Sequence, residues 1–236
     1  MQYINQSLVS EIRQKFCNVN TCPISGDRIF FENAGGALTL KSALETTTKF
    51  ASIPDNQGRD NAASKALNNV IKNAKSDLSA LFNTQSGEFF MGESGTELLF
   101  RLIRNAVLAS PSGGSIVGTS LEHPASRSAA KKWSNEMEYT YLSVPHCVKT
   151  GTVDPKNYAS KISDTTRVVT IVHASPVTGM GTKIKEISKI VRQKAPLAFI
   201  IVDGIQHAAH GGIDIESYDI DGYVISPYKM FSRHGF

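Results

Sequence analysis

A chain of 236 residues, 41% hydrophobic and 19% charged, is long enough to bury a substantial core and too apolar to stay disordered. Its 25 basic and 21 acidic residues leave a net charge of +4, with no Lys/Arg run interleaved with aromatics, so no nucleic-acid partner is expected. No apolar run approaches a membrane span, and the first 16 residues lack the apolar core and cleavage site of a secretory signal.

In chain order, residues 5–16 predict an amphipathic helix, with Leu8, Ile12 and Phe16 at helical spacing. Residues 28–31 read as a short strand leading into the turn Glu32-Asn-Ala-Gly-Gly36. Residues 61–82 carry Ala66, Val70, Ala74, Leu78 and Leu81 on one helical face. Regular alternation follows: strands over 88–91, 115–118 and 137–142, with helices over 95–109 and 125–135. The β-branched run Val168-Val-Thr-Ile-Val172 predicts a strand buried on both faces. A helix over 183–194 and strands over 198–202 and 222–226 complete the pattern, and 227–236 reads as a loop. Strands alternating with helices predict an α/β fold, a mostly parallel sheet with helices on both faces. The expected division is an N-terminal helical arm, 1–30, and one large domain, 31–236, that the chain leaves before it is complete.

Cys17, Cys22 and Cys147 lack the paired spacing of a metal site, so free thiols, no metal and a soluble, cytoplasmic protein are expected.

In an open α/β sheet, ligands bind beyond the carboxyl ends of the strands. Four polar clusters fall there: Gly92-Glu-Ser-Gly-Thr96, Glu122-His123, Asp203-Gly-Ile-Gln206 and Ser226-Pro-Tyr-Lys229. Together they meet the chemical needs of pyridoxal 5'-phosphate (PLP). A phosphate favours the backbone N–H groups of a helix N-terminus, which Ser94-Gly95-Thr96 supplies; taken alone, that segment is a plain helix cap. A carboxylate at a buried strand end keeps a pyridine nitrogen protonated, which Asp203 suits; its bland alternative is a turn residue before Gly204. Gln206 suits the phenolic oxygen, or is a surface amide. An aldehyde needs an amine that has lost its proton, and Lys229 is the lysine that follows a predicted buried strand. His123 suits stacking on a ring and moving protons, against the commoner role of a structural histidine. His207 and His210 read as structural.

These segments resemble class V aminotransferases and cysteine desulfurases. So do Phe31-Glu-Asn-Ala34, Gly95-Thr-Glu97 and His173-Ala-Ser-Pro-Val-Thr-Gly179, and the similarity runs from about Phe31 to the end. The resemblance implies the large, PLP-binding domain of a fold type I PLP enzyme, with the C-terminal small domain missing. It implies PLP joined to Lys229 as a Schiff base. Gly95, Thr96, His123, Asp203, Gln206, Ser226 and Tyr228 then complete the cofactor site, with Lys229 and His123 catalytic. It also implies a small-molecule amino substrate and a homodimer.

Two departures bear on the reaction. Pro176 stands where cysteine desulfurases usually carry an Asn that helps hold the substrate, and Tyr228 stands where they usually carry His. Their nucleophilic cysteine and carboxylate-binding arginine lie beyond the lysine, and Cys147 cannot take that role. The resemblance implies lyase or desulfurase-like chemistry, carbon–sulfur cleavage or β-elimination. Transamination, epimerisation and a non-catalytic truncated remnant are the alternatives. A dinucleotide-binding Rossmann domain is disfavoured, because no Gly-x-Gly-x-x-Gly follows the first strand.

Overall fold

The structure, a computed structural model, describes residues 5–54 and 58–233. They form two compact units, one of described residues up to 78 together with 227–233, the other of residues 79–226.

The first unit begins with helix α1 (Gln6–Gln14), capped by the Asn5 side chain, which accepts a hydrogen bond from the Ser7 N–H. A two-stranded antiparallel hairpin follows, β1 (Thr21–Cys22) and β2 (Gly26–Asp27). The strand expected over 28–31 does not form. Ile29 and Phe31 are 85% and 91% exposed, and the four residues pair with no strand among the described residues. Two helices come next, α2 (Lys41–Ala51) and α3 (Ala62–Phe82), the latter running on into the second unit at Ser79. Residues 227–233, expected as a loop, contain a single 3-10 turn, Pro227–Lys229; residues 234–236 lie outside the described part. Within this unit the Leu40 N–H donates to the Phe231 carbonyl at 2.9 Å, and the Phe16 and Phe231 rings meet edge to face.

The second unit is the α/β body. Five strands, β3 (Ser115–Thr119), β4 (Thr140–Val144), β5 (Thr166–Val172), β6 (Phe199–Asp203) and β7 (Gly222–Val224), pair in the order β4-β3-β5-β6-β7, all parallel. Alternation of side chains divides the core between the two faces. Val117, Val169, Ile171, Ile200 and Val202 pack under α6 (Pro155–Ala159) and α7 (Ile184–Lys194). Ile116, Val168, Ile201 and Val224 pack under α4 (Gly95–Leu108) and α5 (Pro124–Glu136). This is the expected α/β fold with helices on both faces of a parallel sheet. Because β5 and β6 lie inside the sheet, they are built mainly of β-branched and apolar residues, Val168-Val-Thr-Ile-Val172 and Phe199-Ile-Ile-Val202. The strand expected over 88–91 is absent; Phe90 and Met91 are 74% and 79% exposed and join no sheet. The strand expected over 137–142 begins instead at Thr140, after Glu138 turns the chain with φ 59°. Among the described residues no helix is long and apolar enough to cross a membrane.

Candidate active site

The carboxyl ends of the five strands gather several of the expected residues on one edge of the second unit. Helix α4 starts there, its first turn capped by Ser94, whose hydroxyl accepts from the Glu97 N–H at 3.1 Å. Gly95 is buried at the helix start. A β-carbon on it would come within 2.3 Å of Ile205 Cδ1 and 2.7 Å of Ser226 Oγ, so the helix N-terminus approaches the ends of β6 and β7 closely. The orphan N–H groups of that first turn and the Ser226 hydroxyl make a cradle suited to an anion. Thr96 is exposed beside it, and Ser226 is buried.

Asp203 closes β6 and is buried. Its Oδ1 accepts from the Ile205 N–H at 3.1 Å and its Oδ2 from the Ser126 hydroxyl of α5 at 3.4 Å. Donors on both oxygens are the pattern of an ionised carboxylate. His123 caps α5 one turn before Ser126, with its exposed ring accepting the Ala125 N–H on Nδ1 at 3.1 Å. That bond leaves Nε2 as the protonated nitrogen of the neutral ring. Gln206, half-buried, opens the 3-10 turn His207–Ala209 just past Asp203. Gly95, Ser126, Asp203 and Ser226 are thus in mutual contact or one neighbour apart, while Thr96, His123 and Gln206 flank them.

Tyr228 and Lys229 belong to the first unit. Lys229 Nζ donates to the Ala34 carbonyl at 2.7 Å and lies 5.7 Å from the centroid of the Tyr228 ring. The Tyr228 carbonyl accepts from the Ala37 N–H at 3.2 Å. Both residues are half-buried, held against the segment that contains Glu32-Asn-Ala-Gly-Gly36.

One group of side chains escaped the sequence reading. His173, immediately after β5, stacks on His207 with ring centroids 3.5 Å apart, and its Nδ1 lies 2.7 Å from the Tyr223 hydroxyl. Burial first, and then His207, pushes His173 down to about 3, so it is a neutral ring at any working pH. Gly204 permits this packing, since a β-carbon there would fall 2.1 Å from the Tyr223 ring. Gly204→Ala is expected to displace that ring and cost about 1–3 kcal/mol of stability, lowering the melting temperature by roughly 2–10 °C. Thermal denaturation of the variant checks this, and an unchanged midpoint would show that the Tyr223 ring yields freely. The signal available in the sequence was His173 standing at the end of the β-branched run Val168–Val172.

Among the described residues no group of three His, Cys, Asp or Glu side chains is arranged to hold a metal ion. Cys147 is exposed, and Cys17 and Cys22 are half-buried, all three as free thiols.

Residues 29–236 match the aminotransferase class-V family. Over 218 residues the chain is 31% identical to the cysteine desulfurase-like protein ustD of Aspergillus flavus, covering 89% of this chain and 49% of that protein. A cysteine desulfurase of Nostoc sp. is 29% identical over 170 residues, 72% of this chain and 41% of that one. Among solved structures, a cysteine desulfurase from Thermococcus onnurineus NA1 superposes with a TM-score of 0.82 at 18% identity, covering 94% of this chain and 53% of that chain, a likeness of fold. The chain spans about half the length of the relatives it matches.

Proposed function

The chain belongs to the class-V aminotransferase family, and from that premise we propose that it is a PLP-dependent enzyme acting on an amino acid or amine, by carbon–sulfur cleavage or β-elimination. The observation that carries the reading is Asp203: a buried carboxylate at the end of β6, hydrogen-bonded on both oxygens, at the same strand edge as the Gly95 cradle. The N–H groups at the start of α4 support a phosphate site there, with Gly95 letting Ile205 and the Ser226 hydroxyl pack close to the helix start. Bound there, PLP supplies an electron sink for bond breaking at the substrate's α-carbon.

The chain's own residues divide the remaining work. The first turn of α4, with Thr96 and Ser226, binds the phosphate through N–H and hydroxyl donors. Asp203 holds a proton on the ring nitrogen, and Gln206 donates to the phenolic oxygen. His123 offers a ring face, with its Nε2 proton directed away from the bond to Ala125. By the family resemblance, Tyr228 would contact the phosphate, and the Lys229 amine would attach the cofactor and hold or move a proton at the substrate. The family resemblance supports a homodimer, and the three free cysteines support a reducing compartment such as the cytoplasm.

Cysteine itself is proposed to be a poor substrate. Pro176 lies in a turn closed by Ser175, whose hydroxyl accepts from the N–H groups of Val177 and Thr178 at 3.2 Å. Pro176 therefore shapes this turn, and it offers neither a side-chain amide nor an N–H to a substrate. Losing one hydrogen bond to a charged group costs ~1.5–3 kcal/mol, roughly ten- to a hundredfold in affinity. The test is sulfide release from L-cysteine by the full-length protein under reductant, beside a panel of other amino acids. Low sulfide release with better turnover of another substrate is expected; cysteine turnover well above every other substrate would contradict it. Pro176→Asn is expected to raise cysteine turnover.

A further inference from the structure

Glu122 is a buried acid that the reading above leaves without a role. It is 3% exposed, in the turn after β3. Its Oε1 accepts from the Val172 N–H at 3.1 Å and from the Thr119 hydroxyl at 3.3 Å, joining the end of β3 to the end of β5. Its Oε2 is buried with no hydrogen-bond partner.

Among the described residues, no Lys or Arg is among the groups that act on Glu122. Thr170 Oγ1 is also buried and unpartnered; Tyr141 Oη is within electrostatic reach of Ser143 but makes no hydrogen bond of normal geometry. Gly118 makes room for these two hydroxyls, since a β-carbon on it would lie 2.7 Å from Thr170 Oγ1 and 3.0 Å from Tyr141 Oη. Thr170 lies two residues before Val172, the register partner of Asp203, so Thr170 and Asp203 share one face of the sheet. An ionised oxygen buried without a donor costs far more than a neutral carboxyl buried at the same place. Burial first, and then the charge of Asp203, pushes Glu122 up to about 8, against the Thr119 and Val172 N–H groups and the Thr119 hydroxyl, which pull it down. Arg127 acts on Tyr141 and not on Glu122.

Burial and the charge of Asp203 both favour the neutral form of Glu122, and the hydrogen-bond donors agree. Asp203 has donors on both oxygens; Glu122 has them on one. We propose that Glu122 is a neutral carboxylic acid in the folded protein, a positioning residue that ties β3 to β5 and leaves Asp203 the one ionised carboxylate of the pair. The value of that charge to a cofactor ring rests on the function proposed above, but the protonation pattern does not.

The experiment therefore uses the full-length protein stripped of any cofactor, so its outcome is separate from the cofactor reading. In the infrared spectrum at pH 7, wild type should show a protonated-carboxyl carbonyl band that Glu122→Gln lacks. Stability gives a second readout. Between the ordinary glutamate value of 4.5 and about 8, the unfolded chain releases a proton that the folded chain keeps. Wild-type stability should therefore fall with rising pH across that window. The Gln variant lacks this slope, so its melting temperature relative to wild type should climb from pH 5 to pH 8, by on the order of 5 °C, and then level off. Asp203→Asn should move the upper edge of the window to lower pH. If the Gln variant fails to fold, the wild-type band decides: it should fade as the pH rises through about 8. A wild-type spectrum without the band at pH 6, or melting curves that stay parallel from pH 5 to pH 8, overturns the inference.

Discussion

Asp203→Asn should lower turnover by about a thousandfold, on the order of 4 kcal/mol at the transition state, while leaving most cofactor binding intact. The carboxylate's task in the proposed mechanism is to keep a proton on the ring nitrogen, and a neutral amide cannot hold that charge. The substitution is close to isosteric and keeps an acceptor for the Ile205 N–H, so the fold around β6 should survive. It places an amide opposite the Ser126 hydroxyl, which can turn to accept instead of donate. The proposed phosphate site at the start of α4 uses none of these atoms. Steady-state kinetics with the best substrate, beside cofactor content measured after dialysis, separates the two effects. A variant with near-normal turnover would reduce Asp203 to a turn residue before Gly204.

Lys229→Ala should cost at least as much, a thousandfold or more, because it removes both the attachment point and the proposed acid/base. Arg is the more informative companion substitution. It keeps the positive charge and can still donate to the Ala34 carbonyl, but it does not lose its proton and cannot attach an aldehyde. If Lys229 were only a tether for the segment around Ala34, Arg would retain most activity. If it is the reactive amine, Arg should be as inactive as Ala, and added small primary amines should restore part of the rate to the Ala variant alone.

The body of the second unit was legible because β5 and β6 are buried on both faces. Val168 to Val172 and Phe199 to Val202 had to be β-branched or apolar, whatever surrounds them. Helix α4 was equally plain, since Ser94 and Glu97 mark its start. The failures have a common cause. Residues 28–31 and 88–91 carry β-formers such as Ile29 and Phe90, but a strand needs a partner, and propensity says nothing about whether one is present. Helix α2 was missed for the opposite reason: Thr46, Thr47 and Thr48 are poor helix formers, and Thr47 returns its hydroxyl to the Ala43 carbonyl within the helix.

The candidate site was legible to the extent that strand ends announce it. Asp203 and Ser226 sit where parallel strands stop, and Gly95 where a helix begins. The partners of those residues were not. Ser126 reaches Asp203 from 77 residues away, Glu122 meets Val172 across 50, and His173 meets Tyr223 across 50. Such pairs are fixed by sheet register and by which face a side chain takes, and no local pattern encodes them.

The most direct test of the account is chemical. Full-length protein loaded with PLP should be yellow, and borohydride followed by proteolysis should fix the cofactor to one peptide, the one containing Lys229. Cofactor trapped on any other lysine, or none trapped on a correctly folded and loaded protein, would contradict the central claim.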